Sequence, residues 1–273
     1  MNIHPSKIGL GCVTFGREID EDQSFAIMDY AVEHGITLFD TAEAYGGGAS
    51  EKIVGRWLRS RGMAGKIAVI SKVNRKLTKE NIHAALNDSL ERLGLDKIDA
   101  YLLHYFDQAT PLEETLEALT LEAQNGRIGI AGCSNYTTEQ LNQALDLSEQ
   151  KNLIQFKMIS PLYNLAAREI EDGMLAAAKR RGLSIVVFSP LGAGFLTGKY
   201  SASRENIPKG SRFDIIPGHI NIYFKPENFE LLEKLRTKSE ATGSSMSRLS
   251  MSWALANSQV DSVLIGARSI DQV

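Results

Sequence analysis

A lysine inside an apolar strand pattern is the first residue that asks for an explanation. Lys72 interrupts Ile67-Ala-Val-Ile-Ser-Lys-Val73, and a buried ammonium is costly unless a carboxylate neutralises it. Asp40, closing Leu38-Phe-Asp40, is the matching carboxylate if the two segments are neighbours. On those two residues alone an ion pair that merely tolerates burial explains as much as chemistry does. Tyr45, five residues beyond Asp40, tips the balance. A phenol with an ordinary pKa of about 10 is a poor acid at neutral pH. A neighbouring ammonium is expected to stabilise its phenolate, lower that value and let Tyr45 give or take a proton. His104, ending Tyr101-Leu-Leu-His104, would alone read as a satisfied core histidine. Beside Tyr45 and Lys72 it can orient or polarise a carbonyl.

The elements that must position these groups repeat along the chain. Apolar strand patterns run Ile8 to Cys12, Thr37 to Thr41, Ile67 to Lys72, Asp99 to His104, Ile128 to Ser134, Phe156 to Ser160, Ile185 to Ser189 and Ser262 to Gly266. The first seven end about 26 to 32 residues apart, the length of a strand–helix unit with its loops. Amphipathic patterns fill the gaps: Glu80 to Leu93 sets Ile82, Leu86, Leu90 and Leu93 on one face, and Leu112 to Ala123 does so with Leu112, Leu116 and Leu119. Thr78, Thr110-Pro111 and Thr138 read as helix starts, and Gly35, Gly62, Gly94, Gly126 and Gly182 follow helix ends. Alternating units with strands apolar on both sides predict a parallel sheet, and eight of them predict a (β/α)8 TIM barrel over residues 1–273 as one domain. The competing open, doubly wound sheet is disfavoured because Gly9-Leu-Gly11 lacks the third glycine of a dinucleotide turn.

The interval before the eighth strand is long. It holds a Gly/Ser/Pro-rich stretch, Gly192 to Gly218, and two helical patterns near Pro226 to Ala241 and Ser247 to Ala256, as expected of a functional clamp. No pattern for an eighth helix follows Gly266 in the 273 residues. In such a barrel the C-terminal strand ends carry the chemistry. Those ends read Asp40, Lys72, His104, Ser134-Asn135, Ser160 and Ser189.

Composition bounds the function. A net charge of -3 with 43% hydrophobic residues, and no basic stripe, argues against nucleic acid as a partner. No apolar run approaches a membrane span, and no secretory leader pattern opens the chain. The only cysteines, Cys12 and Cys133, lack metal or disulfide spacing and read as small buried hydrophobes, pointing to a reducing, cytoplasmic setting. No H-E-x-x-H and no clustered acidic ligands suggest a metal-dependent or isomerase-type barrel.

Several segments together resemble the aldo-keto reductases. Gly35-Ile-Thr-Leu-Phe-Asp-Thr-Ala-Glu-Ala-Tyr-Gly46 with Ser50-Glu51 and Gly55 is similar to the first signature of that family. Similar too are Ile70-Ser-Lys-Val73, Ser89-Leu-Glu-Arg-Leu93 with Gly94, and Asp99 to His104. Gly129 to Asn135, Ser189-Pro-Leu-Gly192 with Leu196-Thr-Gly-Lys-Tyr200, and Ile265-Gly-Ala-Arg-Ser269 complete the set, in order across essentially the whole chain. The resemblance implies hydride transfer from NADPH to a small-molecule aldehyde or ketone. It implies Tyr45 as general acid, Lys72 as its partner, Asp40 as the carboxylate holding Lys72, and His104 as the residue orienting the carbonyl.

For the cofactor, NADPH or NADP+, the resemblance implies Ser134 and Asn135 at the nicotinamide carboxamide and Phe188 stacked on its ring. It implies Ser189, Leu191 and Ala193 along the pyrophosphate, Lys199 and Arg212 over it, Arg268 at the ribose 2′-phosphate in register with the cofactor-binding Gly266, and Gln272 near the adenine. A guanidinium at Arg268 would favour NADPH over NADH. Two departures stand out. Ser160 occupies a position where the family usually has glutamine, so that nicotinamide contact is expected to be weaker or water-mediated. His104-Tyr-Phe-Asp107 lacks the Pro or Trp often found before the Asp. Phe15, Tyr105, Phe106, Tyr136 and Tyr163 are candidates for an aromatic rim at the mouth. A second reading is a nucleotide-sensing regulatory subunit of the same fold with little catalysis; there the His104 position is typically not histidine. The oligomeric state is left open.

Overall fold

The computed structural model describes residues 5–202 and 206–273. Eight parallel strands close into a barrel in chain order: β1 (Ile8–Gly11), β2 (Leu38–Asp40), β3 (Ala68–Val73), β4 (Ile98–Leu103), β5 (Ile128–Ser134), β6 (Met158–Ser160), β7 (Ser184–Phe188) and β8 (Ser262–Gly266). The strand–helix repeat therefore predicts the architecture. Its boundaries shift by one or two residues, so that Cys12, Thr41, His104 and Ser189 fall just past their strands.

Helices α1 (Glu21–Glu33), α2 (Ala49–Arg61), α3 (Lys79–Leu93), α4 (Leu112–Gln124), α5 (Thr138–Lys151) and α6 (Met174–Arg180) follow the first six strands. Their starts obey elementary capping. Thr78 accepts from Asn81 N at the head of α3. For α5 the cap is Thr137, one residue before the expected Thr138, in a reciprocal box with Gln140. Thr110 does not cap α4; its hydroxyl donates to Asp107 instead.

Alternation along the strands assigns every functional side chain its direction. Leu38, Ala68, Ile70, Ala100, Leu102, Met158, Val186 and Leu264 form the barrel interior. Phe39, Val69, Val73, Tyr101, Leu103, Ile159, Ile185, Val187 and Val263 pack outward among the helices. Asp40, Lys72, Ser134, Ser160, Phe188 and Gly266 continue the inward parity to the C-terminal layer. β1 contributes inward glycines; a Cβ on Gly9 would stand 2.7 Å from Leu264 Cδ2 and 3.0 Å from Leu38 Cδ2. Those leucines fill the space the glycine leaves, and truncating either to alanine would cost about 2–5 kcal/mol.

The segment between β7 and β8 has its own core. After two single-turn helices, α7 (Arg212–Ile215) and α8 (Ile220–Tyr223), come α9 (Pro226–Thr242) and α10 (Met246–Ala256), within a residue of the expected spans. Phe195, Tyr200, Phe213 and Tyr223 pack with Leu196, Leu232, Leu235 and Met246 in a cluster separate from both barrel cores. Tyr200 stacks on Phe213 at 4.3 Å between centroids. Beyond β8 the last residues form a 3-10 turn, Ile270–Gln272.

Candidate active site

The ends of β2, β3 and β4 bring Asp40, Lys72, Tyr45 and His104 together. Lys72 Nζ donates to Asp40 Oδ2 at 2.6 Å, to the Thr41 carbonyl at 2.9 Å and to the Tyr45 hydroxyl at 3.3 Å. All three of its N–H donors are thereby used, which is what permits a lysine 2% exposed to stay charged. Burial pushes the Lys72 pKa down, but the Asp40 carboxylate and the Tyr45 oxygen more than offset it, and the net shift is upward. Desolvation raises Asp40, with Lys72 pulling the other way.

Tyr45 departs from the expected direction. Its pKa is raised: burial is the largest cause, Lys72 lowers it and Asp40 raises it again. Lys72 therefore limits a rise rather than producing a net fall, and the resting phenol holds its proton. The ring lies 5.9 Å from that of His104, edge to face. Burial and the Lys72 charge lower the His104 pKa to about 3, so the imidazole is neutral. His104 Nδ1 is buried and has no partner among the described residues. A proton there would be an unsatisfied donor, so Nε2 is the better site for the single N–H.

A second buried network, unforeseen from sequence, braces this arrangement. Tyr45 opens a turn in which Gly46, Gly47 and Gly48 all have positive φ, a run that strongly favours glycine. Just after it, fully buried Glu51 accepts from Ser71 Oγ at 2.5 Å and Arg92 Nε at 2.6 Å. Ser71 precedes Lys72 in β3, so the Tyr45 turn is tied to the strand that carries Lys72. Thr41 Oγ1 and Ser50 Oγ share a 2.8 Å hydrogen bond, and Ser50 donates to the Cys12 carbonyl. In the sequence Glu51 looks like an ordinary acid in a first helical turn; only its partner Arg92, 41 positions on, reveals otherwise.

The other strand ends are built differently. Ser134 Oγ donates to the Ser160 carbonyl at 2.6 Å, while the buried Ser160 hydroxyl has no partner among the described residues. Asn135, at φ 55°, donates through Nδ2 to the His104 carbonyl at 3.0 Å and to Ser134 Oγ at 3.2 Å, linking the two halves. Phe188 is half-buried at the inward end of β7. Ser189 and Ala193 both stand at φ 56°. The Ser189 carbonyl is held by Asn164 Nδ2 at 2.9 Å, and the half-buried Leu191 lies between them in a glycine-rich turn. Lys199 folds back, its Nζ 5.2 Å from the Tyr200 ring centroid. Arg212 reaches across to Glu18 on the β1–α1 loop at 2.7 Å. Arg268 donates from Nη1 to the Gly210 carbonyl at 3.0 Å, and its backbone N–H to Gln272 Oε1 at 2.9 Å. Gly266 ends β8 in register with Gly11.

The expected aromatic rim is mostly absent. Phe15, Tyr136 and Tyr163 are buried. The Tyr163 hydroxyl is spent on Glu171 and Asn257, and Phe106 packs edge-on against Tyr136. Tyr105 alone of the five is widely exposed, at 56%, stacked on His104 at 4.9 Å.

A barrel with this order of strand-end groups defines a family as well as a site. Residues 7–273 match the Aldo/keto reductase family, and the chain belongs to it. Similar proteins include the uncharacterized oxidoreductase YrpG of Bacillus subtilis, 30% identical over 98% of this chain and 85% of the relative. L-glyceraldehyde 3-phosphate reductase of Escherichia coli is 31% identical over 95% of this chain and 79% of its own length. A probable voltage-gated potassium channel subunit beta of Oryza sativa is 30% identical over 96% and 83%. Among solved structures, the glycerol dehydrogenase of Gluconobacter oxydans superposes with a TM-score of 0.81 at 28% identity, covering 98% of this chain and 84% of that one. The chain is thus an oxidoreductase of the Aldo/keto reductase family.

Proposed function

We propose that the protein reversibly reduces an aldehyde or ketone at the expense of NADPH, with Tyr45 as general acid in reduction and general base in oxidation. One observation carries the reading: a fully used ammonium, Lys72, held between Asp40 and the Tyr45 hydroxyl at the barrel mouth. The residues on the far side fit the cofactor. An orphaned buried hydroxyl at Ser160, an amide oxygen at Asn135 that accepts no hydrogen bond among the described residues, and the half-buried face of Phe188 suit a nicotinamide. Ser189, Leu191 and Ala193 offer backbone to a pyrophosphate. Lys199 and Arg212 add positive charge there, Arg268, two residues past Gly266, suits a ribose 2′-phosphate, and Gln272 the adenine. NADPH would supply the hydride that adds to the carbonyl carbon.

The chain's own groups handle the oxygen. Neutral His104 donates from Nε2 to the carbonyl oxygen and fixes its direction. Tyr45 gives its proton to that oxygen as negative charge builds on it. The phenolate left behind is stabilised by Lys72, whose charge Asp40 secures, and its proton returns from solvent. The raised resting pKa of Tyr45 keeps the donor loaded at neutral pH.

Relatives named as channel subunits leave a regulatory role as the second reading, but His104 in contact with Tyr45 favours catalysis. The two free, buried cysteines fit a reducing, cytoplasmic setting. The relative named for a phosphorylated aldehyde makes such compounds the first substrates to try. The test is a screen of carbonyl classes followed by loss of NADPH absorbance. No turnover of any aldehyde or ketone by the wild type would overturn the reading. A lower Kd for NADH than for NADPH would overturn the role given to Arg268.

A further inference from the structure

We infer that Asn164 and Tyr223 form a joint that fastens the turn of residues 189–194 to the β7–β8 segment, so that the turn keeps its binding shape only while that segment is docked. The inference rests on the NADPH reading above and adds two positioning residues to it. Both side chains are buried, so they act through the turn and not on the ligand. Asn164 follows β6 on a loop that runs beside the end of β7. There the Phe188 N–H donates to the Pro161 carbonyl at 3.1 Å, and the Tyr163 N–H to the Phe188 carbonyl at 3.2 Å. Mutual backbone bonds between Asn164 and Ala167, both at 3.1 Å, then close a tight turn and fix the Asn164 backbone.

Both N–H donors of the Asn164 amide are used. Its Oδ1 accepts from the Ala166 N–H at 2.9 Å, which fixes the orientation of the amide. Nδ2 then donates to the Ser189 carbonyl at 2.9 Å and to the Tyr223 hydroxyl at 3.1 Å. The Ser189 carbonyl also accepts from the Gly192 N–H at 2.9 Å and so closes the 189–194 turn. Ser189 and Ala193, at φ 56°, stand in a region that residues with a side chain hold only when their surroundings compel it. Tyr223 supplies the other half of that compulsion. Its ring lies on the turn: a Cβ on Gly192 would meet Tyr223 Cε1 at 3.0 Å. The same ring stacks with Phe195 at 5.7 Å and with Phe213 at 5.9 Å, in the core of the β7–β8 segment.

A single amide therefore bonds both a strained turn and a residue of a separately packed segment. That segment's core is distinct from both barrel cores, and Ala167 of the Asn164 loop belongs to it. A unit packed apart from the barrel can part from it at lower cost than the barrel can open, and its junctions decide how often it does. When the joint parts, Ser189 loses the amide, and Gly192 the ring, that oppose relaxation of the turn. Only the docked fraction of the protein presents the backbone shape that suits a pyrophosphate, and the apparent Kd rises by the inverse of that fraction.

Tyr223→Phe tests the joint with the ring left in place and only the hydroxyl removed. In hydrogen exchange of the protein without nucleotide, the amides of residues 189–198 and 212–224 should exchange about three- to tenfold faster, the effect of one neutral hydrogen bond. Those of β2 to β4 should keep the wild-type rate. The Kd for NADPH, read by tryptophan fluorescence, should rise by about three- to tenfold. Asn164→Asp keeps the shape of the side chain, removes both donors and should move each quantity further. Unchanged exchange in both segments, or faster exchange confined to residues 212–224, overturns the inference. So does a lowered urea midpoint with the NADPH Kd at its wild-type value, which would make the pair an ordinary packing contact. Should the wild type bind neither NADPH nor NADH, the cofactor reading falls, and exchange in the protein without nucleotide decides the joint alone. Faster exchange in both segments of Tyr223→Phe then supports it; any other pattern overturns it.

Discussion

At the ends of β2 and β3 the polar side chains have found partners inside the protein, while His104, just past β4, keeps Nδ1 unpaired among the described residues. Lys72 spends all its donors, Glu51 both its oxygens, and Thr41 and Ser50 satisfy each other. At the ends of β5, β6 and β7 the pairing is incomplete. Ser160 keeps a buried hydroxyl unpaired, and Asn135, Ser189 and Ala193 hold backbone conformations that cost about 1–3 kcal/mol each for non-glycine residues. The first half is set for charge that must be in place before any ligand comes. The second holds its strain and its unpaired atoms for something that binds. Preorganised electrostatics and ligand-completed hydrogen bonding thus sit side by side, joined by the Asn135 amide on the His104 carbonyl.

The sharpest way to break this contrast is Tyr45→Phe, which should lower kcat by about 10²- to 10⁴-fold while moving the denaturation midpoint little. Comparable turnover by the variant would remove the proton donor from the mechanism. Lys72→Met comes next. It strands Asp40 in a buried site, and urea unfolding should show a loss of about 3–5 kcal/mol. The Asp40→Leu, Lys72→Met double variant should recover most of that loss, because no lone charge remains. A double variant no more stable than the single would mean that the pair matters by shape alone.

His104 supplies a dependence on pH. Its folded pKa of about 3 lies below the ordinary 6.5, so between those values the unfolded chain takes up a proton that the folded one refuses. Its contribution to stability is complete above about pH 6.5 and is lost as pH falls toward 3. His104→Gln should flatten that part of a plot of urea midpoint against pH; an unaltered slope would mean that the imidazole is not held neutral. The smallest effect is expected from Ser160→Ala. Removing an unpartnered hydroxyl should change stability by no more than about 0.5 kcal/mol and NADPH affinity by no more than about tenfold. A large fall in stability would show that Ser160 belongs with the partnered groups of β2 and β3.

Sequence made the first half far more legible than the second. A lysine in an apolar strand cannot be ignored, because its burial must be compensated, and the compensating Asp40 and the neighbouring Tyr45 follow from that cost. The strand–helix repeat is equally local, so the barrel could be read directly; of the three threonines read as helix starts, Thr78 caps α3, the α5 cap is one residue earlier at Thr137, and Thr110 bonds Asp107 instead. The direction of the Tyr45 shift could not, since it depends on how much surrounding chain desolvates the phenol. Nor could the reach of Arg212 to Glu18, which joins segments 194 positions apart, or the burial of Tyr163 through Glu171 and Asn257. Arg–Glu pairing, hydroxyl satisfaction and desolvation are decided by packing between distant segments, and no local spacing encodes them.

The inward parity of Asp40, Lys72, Ser134, Ser160 and Phe188 has a further consequence. The barrel reads its strands two residues at a time, as a ribosome reads a message in threes, so the site has a frame. Insertion of one residue near the start of β3 that slipped its register would turn Lys72 out among the helices and bring Ser71 or Val73 into the mouth. Composition would hardly change, and the fold could still close, yet the charge at the centre would be gone. Substitutions in the loops respect this frame; single-residue insertions and deletions within a strand do not. Variation in this chain is therefore free to be continuous around the rim, while in the staves it is confined to replacement.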